Sequence, residues 1–253
     1  DFANQQDDIR AKAQGLYLQG VSLHLRGGYS EALAYYKNGL NIFDEIHDQE
    51  GIASCLNAIG LIYLYKNDYS RALNYFTRSL KLKEEIDDLQ GVASALNNIG
   101  YIYHNQGDYP YALDYYTQSL KIREKIDDHQ GIATSLINIG ETYSAQGDYS
   151  KALDYYAKSL NLFEEIGNQQ GVASALNNFG FIYRKQGDYP NALEYYFKSL
   201  EIREEMDDQQ GIAASFNNIG MIYRKQGDYS QAIDYCQKGF DLAKIIGSLL
   251  EQK

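Results

Sequence analysis

A 40-residue period runs through this chain from end to end. Gly20, Gly60, Gly100, Gly140, Gly180 and Gly220 share one position, and Ala32, Ala72, Ala112, Ala152, Ala192 and Ala232 share another twelve residues later. A third position holds Leu23, Tyr63, Tyr103, Tyr143, Tyr183 and Tyr223. A fourth holds Tyr36, Phe76, Tyr116, Tyr156, Tyr196 and Cys236. A unit of this size cannot bury its apolar surface alone, so a recurring unit implies stacking of copies on one another.

Residues 91–128 show what the unit is. Val92, Leu96, Ile99 and Tyr103 fall at helical spacing rather than the alternation of a strand. Gly107 then supplies a left-handed C-terminal position, Asp108 an N-cap oxygen, and Pro110 sits in the first turn of the next helix. That second helix carries Ala112, Tyr116, Leu120 and Ile126 on one side. The unit is therefore two amphipathic helices and a tight turn. The glycine and alanine positions fit a close crossing of the two helices, and the aromatics fill the space between pairs.

This pattern resembles the tetratricopeptide repeat. The shared elements are Leu-Gly or its equivalent, an aromatic three later, then Ala, an aromatic four beyond it, and Gly-Asp-Tyr at the turn, as in residues 107–109 and 147–149. The family's usual period is about 34 residues, so six are extra here, in the second helix and the following loop. The longer period is similar to the repeats of Pins/LGN-type spindle-orientation adaptors and of bacterial arrays fused to signalling domains. The resemblance implies an all-α, right-handed superhelical solenoid of six tandem helix-turn-helix repeats over residues 1–253, at about 11–50, 51–90, 91–130, 131–170, 171–210 and 211–250. Residues 1–10 extend the first helix. Residues 247–253, GSLLEQK, read in register as a loop and the opening of a seventh first helix. Because a solenoid closes with a polar-faced cap, and the N-terminus lacks Met and any signal segment, the expectation is a segment of a longer protein.

Composition narrows the function. With two prolines, no tryptophan and 25 tyrosines the chain is unlike an all-β protein. Its net charge of −11 argues against a general nucleic-acid role, which needs a clustered cationic surface. Its longest apolar runs are a few residues, far short of the roughly 20 of a membrane-spanning helix. Cys55 and Cys236 lie about four and a half periods apart, too far for a disulfide at roughly 10 Å per helix layer. Both read as buried thiols. A cytoplasmic location is expected, with a periplasmic or extracytoplasmic sensor region as the alternative.

No phosphate loop, dinucleotide fingerprint, zinc-protease motif or nucleophile elbow is present. His24, His47, His104 and His129 do not cluster, and paired carboxylates such as Asp87-Asp88 sit just ahead of a helix N-terminus, where the dipole favours them. No catalytic residue, metal or cofactor is expected. What remains is the accessible stripe of each first helix, in the third repeat Ser94, Asn97, Tyr101, His104 and Asn105. In the family this stripe lines the groove that binds peptides or partner helices.

The stripe is rich in mid-helix asparagine, a mediocre helix former whose cost something must offset. A ladder of carboxamides can pair with a peptide's main-chain N–H and C=O groups, a role the resemblance supports; alternatively the amides tie each helix to its neighbour. The peptide-binding candidates are Asn57, Asn97, Asn98, Asn138, Asn177, Asn178, Asn217 and Asn218, with Tyr101, His104, Phe181 and Met221 as selecting contacts. Arg184, Lys185, Arg224 and Lys225 add a basic stretch suited to an acidic side chain or terminal carboxylate, or are simply solvated cations. Glu141 is within reach of the Arg184 position. The expected function is a non-catalytic protein-interaction scaffold that binds an extended peptide or helical segment in its groove. The alternative is the sensory or dimerising region of a larger histidine kinase, nucleotide cyclase or transcription regulator. The partner is a protein or peptide ligand, with self-association left open.

Overall fold

The computed structural model describes residues 2–251, with side chains described for 6–247. Among the described residues there are twelve helices and no strand. The chain forms two compact units, Asp1–Asp128 and His129–Lys253. The first holds α1 (Phe2–Leu25), α2 (Tyr29–Glu45), α3 (Gln49–Tyr65), α4 (Tyr69–Glu85), α5 (Leu89–Asn105) and α6 (Tyr109–Lys125). The second holds α7 (His129–Ala145), α8 (Tyr149–Glu165), α9 (Gln169–Gln186), α10 (Tyr189–Glu205), α11 (Gln209–Gln226) and α12 (Tyr229–Glu251). Within each unit every helix packs on the next in sequence, giving three stacked helix-turn-helix repeats. Each unit is thus a short solenoid.

The recurring glycine and aromatic positions meet inside each pair. A Cβ on Gly60 would lie 2.7 Å from the Phe76 ring, and one on Gly180 would lie 2.7 Å from Tyr196. Only a residue without a side chain lets the ring lie flat on the first helix. The rings of Tyr36, Phe76, Tyr116, Tyr156 and Tyr196 are each 2% exposed or less, which makes this contact the centre of the first five repeats; the sixth has Cys236 there. A serine braces the same crossing. Ser79, Ser119, Ser159 and Ser199, all fully buried, each donate at 2.8 Å to the carbonyl of Ala53, Ala93, Ala133 or Ala173 on the first helix. The bond satisfies a buried hydroxyl and fixes the depth at which the helices cross.

Turn chemistry follows the sequence. Inside a pair, Gly107 takes φ +79°; elsewhere the residue after the turn caps the following helix, as where Asp148 accepts from the Lys151 amide at 3.2 Å, but Asp108, ahead of Pro110, makes no side-chain cap bond, contrary to the expectation from sequence. Between pairs the left-handed residue is His47 (φ 55°), Asp87 (φ 57°), Asp127 (φ 54°), Gly167 (φ 69°) or Asp207 (φ 55°). The side chain after it is the cap: Asp88 and Asp208 each accept from a glycine amide at 2.9 Å. The paired carboxylates are thereby explained as a left-handed turn residue followed by a helix cap.

The cap charges between pairs are individually matched. Arg10 pairs with Asp48 at 2.7 Å, Lys83 with Asp88 at 3.6 Å and Arg123 with Asp128 at 3.4 Å. Arg203 lies beside Asp208 and donates to the Gly211 carbonyl at 2.7 Å. Phe163 takes the position of Lys83, Arg123 and Arg203 in the fourth repeat, and there the cap is the uncharged Asn168. A half-buried carboxylate with no cation beside it is costly; the repeat that loses the cation also loses the charge.

Two expectations are corrected. Cys55 is buried, but Cys236 is exposed, because no described helix covers that side of α12. The loop expected at Gly247-Ser248 is not formed: α12 runs on through Glu251. Gly247 does not take the left-handed conformation that the turn glycines adopt, so the helical ladder continues through it.

Burial raises the Cys55 thiol to about 12, so it stays protonated and unreactive at neutral pH. Titration of the native protein with a chromogenic disulfide reagent should therefore release one equivalent, from Cys236, and a second only on unfolding in denaturant.

Candidate functional site

In each unit the first helices leave one stripe accessible. In the first unit it carries Asn57 on α3 and Asn97, Asn98, Tyr101 and His104 on α5. In the second it carries Asn138 on α7, Asn177, Asn178, Phe181, Arg184 and Lys185 on α9, and Asn217, Asn218, Met221, Arg224 and Lys225 on α11. Most of the asparagines are half-buried, while Asn217, Tyr101, Lys185, Arg224 and Lys225 are exposed.

The amides do not stand independently. Asn98 Nδ2 donates to Asn57 Oδ1 at 3.3 Å, and Asn218 Nδ2 donates to Asn177 Oδ1 at 2.9 Å. The second asparagine of one repeat thus reaches back to the first asparagine of the preceding one. The pairing sets the orientation of both amides. It also leaves the N–H bonds of Asn57 and Asn177 and the Oδ1 of Asn98 and Asn218 without a protein partner among the described residues. Each pair holds a donor group and an acceptor side by side, the complement of a peptide unit's C=O and N–H.

The relay changes where Ile137 stands in place of the first asparagine. Asn178, lacking an amide to donate to, donates instead to Glu141 Oε1 at 3.4 Å. Glu141 keeps solvent access, yet the protein around it disfavours the charged form and raises its carboxyl above the ordinary range, with the Asn178 bond opposing weakly. It makes no ion pair with Arg184 within 4 Å.

Arg184 faces inward as well as outward. Its guanidinium lies near the Tyr196 hydroxyl, where its charge opposes the rise that burial imposes on that group, and 5.0 Å from the Phe181 ring centre, with Lys185 Nζ 5.3 Å from the same ring. Its Nε is buried with no hydrogen-bond partner among the described residues. In the preceding repeat Ser144 sits within hydrogen-bonding reach of the Tyr156 hydroxyl. Leu64 takes this position where the core ring is Phe76, which has no hydroxyl. The position that sequence reading treats as open to ligand therefore also answers to the aromatic beneath it. The signal was present in the sequence as the coincidence of Leu64 with Phe76. Arg224, above Cys236, is exposed and has no such hydroxyl to meet.

His24 and His104 are both held below the ordinary imidazole range by burial. Among the described residues no group of three His, Cys, Asp or Glu side chains could hold a metal ion, and no helix is long and apolar enough to cross a membrane.

Comparison with known proteins gives a consistent picture. The tetratricopeptide repeat family model matches residues 12–85, 91–165 and 171–245. A comparison of the sequence with curated proteins gave no match. Among solved structures, a Rap protein complexed with competence and sporulation factor superposes with a TM-score of 0.73 at 16% identity, covering 98% of this chain and 81% of that one. NprR in complex with its cognate peptide NprX gives 0.68 at 20% identity, covering 93% and 68%. A STAND-type signal-transduction ATPase with a tetratricopeptide repeat sensor from Pyrococcus horikoshii gives 0.73 at 18% identity, with 96% of this chain spanning 38% of that one. At these identities the likeness is one of fold.

Two substitutions test the electrostatics of the stripe. Arg184→Leu should lower stability in urea unfolding by removing the polar neighbour of the Tyr196 hydroxyl, and adding Tyr196→Phe should recover most of the loss. The double variant reproduces the Leu64–Phe76 arrangement. For Glu141, a carboxyl raised in the folded state stabilises only while protonated, so that contribution is lost as pH rises through its folded value. Glu141→Gln, which keeps the acceptor for Asn178, should raise Tm at pH 7 and leave it unchanged near pH 4.

Proposed function

This chain belongs to the tetratricopeptide repeat family, and we propose that it is a non-catalytic scaffold holding an extended peptide or a helical segment of another protein along its first helices. The observation that carries this reading is the pre-oriented amide pair, Asn57 with Asn98 and Asn177 with Asn218. In each pair one amide spends a donor and the other an acceptor. What remains is matched to main chain rather than to any one side chain. Because the pairs are already fixed, a ligand that docks on them loses less of its binding energy to ordering the site.

Selection falls to the residues around the amides. In the first unit Tyr101, 45% exposed, offers an apolar ring beside the amides. In the second unit Lys185, Arg224 and Lys225 favour an acidic side chain or a terminal carboxylate, with Phe181 and Met221 as the apolar contacts. His104 and Arg184 act from below, tied to the packing beneath the stripe. The complexes of the Rap protein with competence and sporulation factor and of NprR with its cognate peptide support this reading, since each holds a partner on a comparable fold. A cytoplasmic location accords with it.

A second reading is favoured by the STAND protein, in which a comparable array is a sensor within a longer chain. There the same stripe would report ligand to a kinase, cyclase or DNA-binding domain. The flanking reading frame separates the two.

The test is a peptide array with randomised sequence, followed by titration of the best binders against variants. Asn57→Ala and Asn177→Ala should each weaken binding about tenfold while far-UV circular dichroism stays unchanged. Arg224→Ala with Lys225→Ala should flatten the salt dependence for acidic peptides. Unchanged affinity in the asparagine variants would sink the groove mechanism.

A further inference from the structure

The outer face of α12 keeps the chemistry of a buried interface. Tyr229, Ile233 and Phe240 are 67%, 69% and 64% exposed, and Cys236 lies open between them. In the preceding repeat the matching residues Tyr189, Leu193, Tyr196 and Leu200 pack into the core of the second unit. The smaller Cys236, with Gly239 and Ala243, opens a recess of about 540 Å³ lined also by Asn217, Ile233 and Phe240.

The pattern along this face is self-complementary. Tyr229, Ile233, Cys236, Phe240, Ala243 and Gly247 follow at alternating steps of four and three, the spacing by which two helices pair along their length. Set antiparallel to a copy of itself with Phe240 opposite Cys236, the same register places Ile233 opposite Ala243 and Tyr229 opposite Gly247. Every large side chain meets a small one. Gln237 and Ser230 with Lys244 flank this seam, so no like charges are opposed, and antiparallel helix dipoles attract.

Head-to-tail docking is not offered the same fit. The position that packs on the preceding repeat's ring, as Phe179 does on Tyr156 at 6.1 Å, is Gln19 on α1 where inner first helices carry Ile59, Ile99, Ile139 and Ile219. Ser22 likewise replaces Ile62. We propose that the Tyr229–Gly247 face of α12 is a docking surface for a second copy of this chain, paired antiparallel across a two-fold axis between Cys236 and Phe240, with Phe240 of each copy seated in the other's recess. The contact is isologous and closes at two copies.

Sedimentation equilibrium of the full chain from about 1 µM to about 1 mM tests this. The wild type should reach twice the 28.7 kDa of one chain. Phe240→Glu should stay monomeric throughout with unchanged circular dichroism, and Ile233→Glu serves if that variant does not fold. Cys236→Phe should weaken the dimer at least tenfold, because two phenylalanines then compete for one recess. Combining it with Phe240→Cys exchanges large for small and should restore wild-type association. A monomer at every concentration, a dimer indifferent to both glutamates, or growth beyond two copies would overturn the proposal. So would a monomer that instead binds a synthetic peptide of residues 209–226, which would make the occupant a helix of the first-helix type.

Discussion

Five of the six repeats rest on one contact, an aromatic ring laid against a glycine of the preceding helix. With Tyr36, Phe76, Tyr116, Tyr156 and Tyr196 almost wholly removed from water, each ring contributes on the order of 2–3 kcal/mol from burial. Glycine is the residue that permits it, since a methyl group there would sit well inside the ring's van der Waals surface. The serine-to-carbonyl bond sets the same crossing from the other side. Once these two contacts are made, the helix pair has one depth, and the next pair can stack only in the same register.

That fixed register is what turns asparagine from a weak helix residue into part of an arrangement. Asn98 and Asn57 lie 41 positions apart in sequence, one more than the period, and so do Asn218 and Asn177. A stack with a looser crossing would not hold the amides at hydrogen-bonding distance. The structural and functional readings of these residues therefore do not compete: the bond between repeats spends half of each pair and orients the other half. The same stack couples the stripe to the core, since Arg184 and Ser144 each meet the tyrosine hydroxyl beneath them.

Charge follows the same economy. Asp88, Asp128 and Asp208 each have a cation near the helix they cap, supplied one turn or so earlier in sequence, while Asp48 draws on Arg10 from α1. Asn168 has Phe163 instead and carries no charge. Between the repeats an acidic chain can thus hold carboxylates at helix ends because a nearby cation balances them.

The sequence by itself determined the element types, the period, the turns and the location of the accessible stripe, because these depend on local spacing: helical apolar periodicity, glycine and aspartate at the turns, a repeat of fixed length. Only the tertiary structure decided which side chains the stack engages. The Asn57–Asn98 and Asn177–Asn218 pairings, the diversion of Asn178 to Glu141, the seating of Arg184 on Tyr196 and the buried serine bonds join residues that lie 12 to 41 positions apart. Such contacts depend on the depth and angle at which helices cross, which a linear pattern does not contain. Cys236 is the clearest instance. It stands at a core position of the repeat, yet it is open, because burial at that position is conferred by the next helix and not by the residue itself.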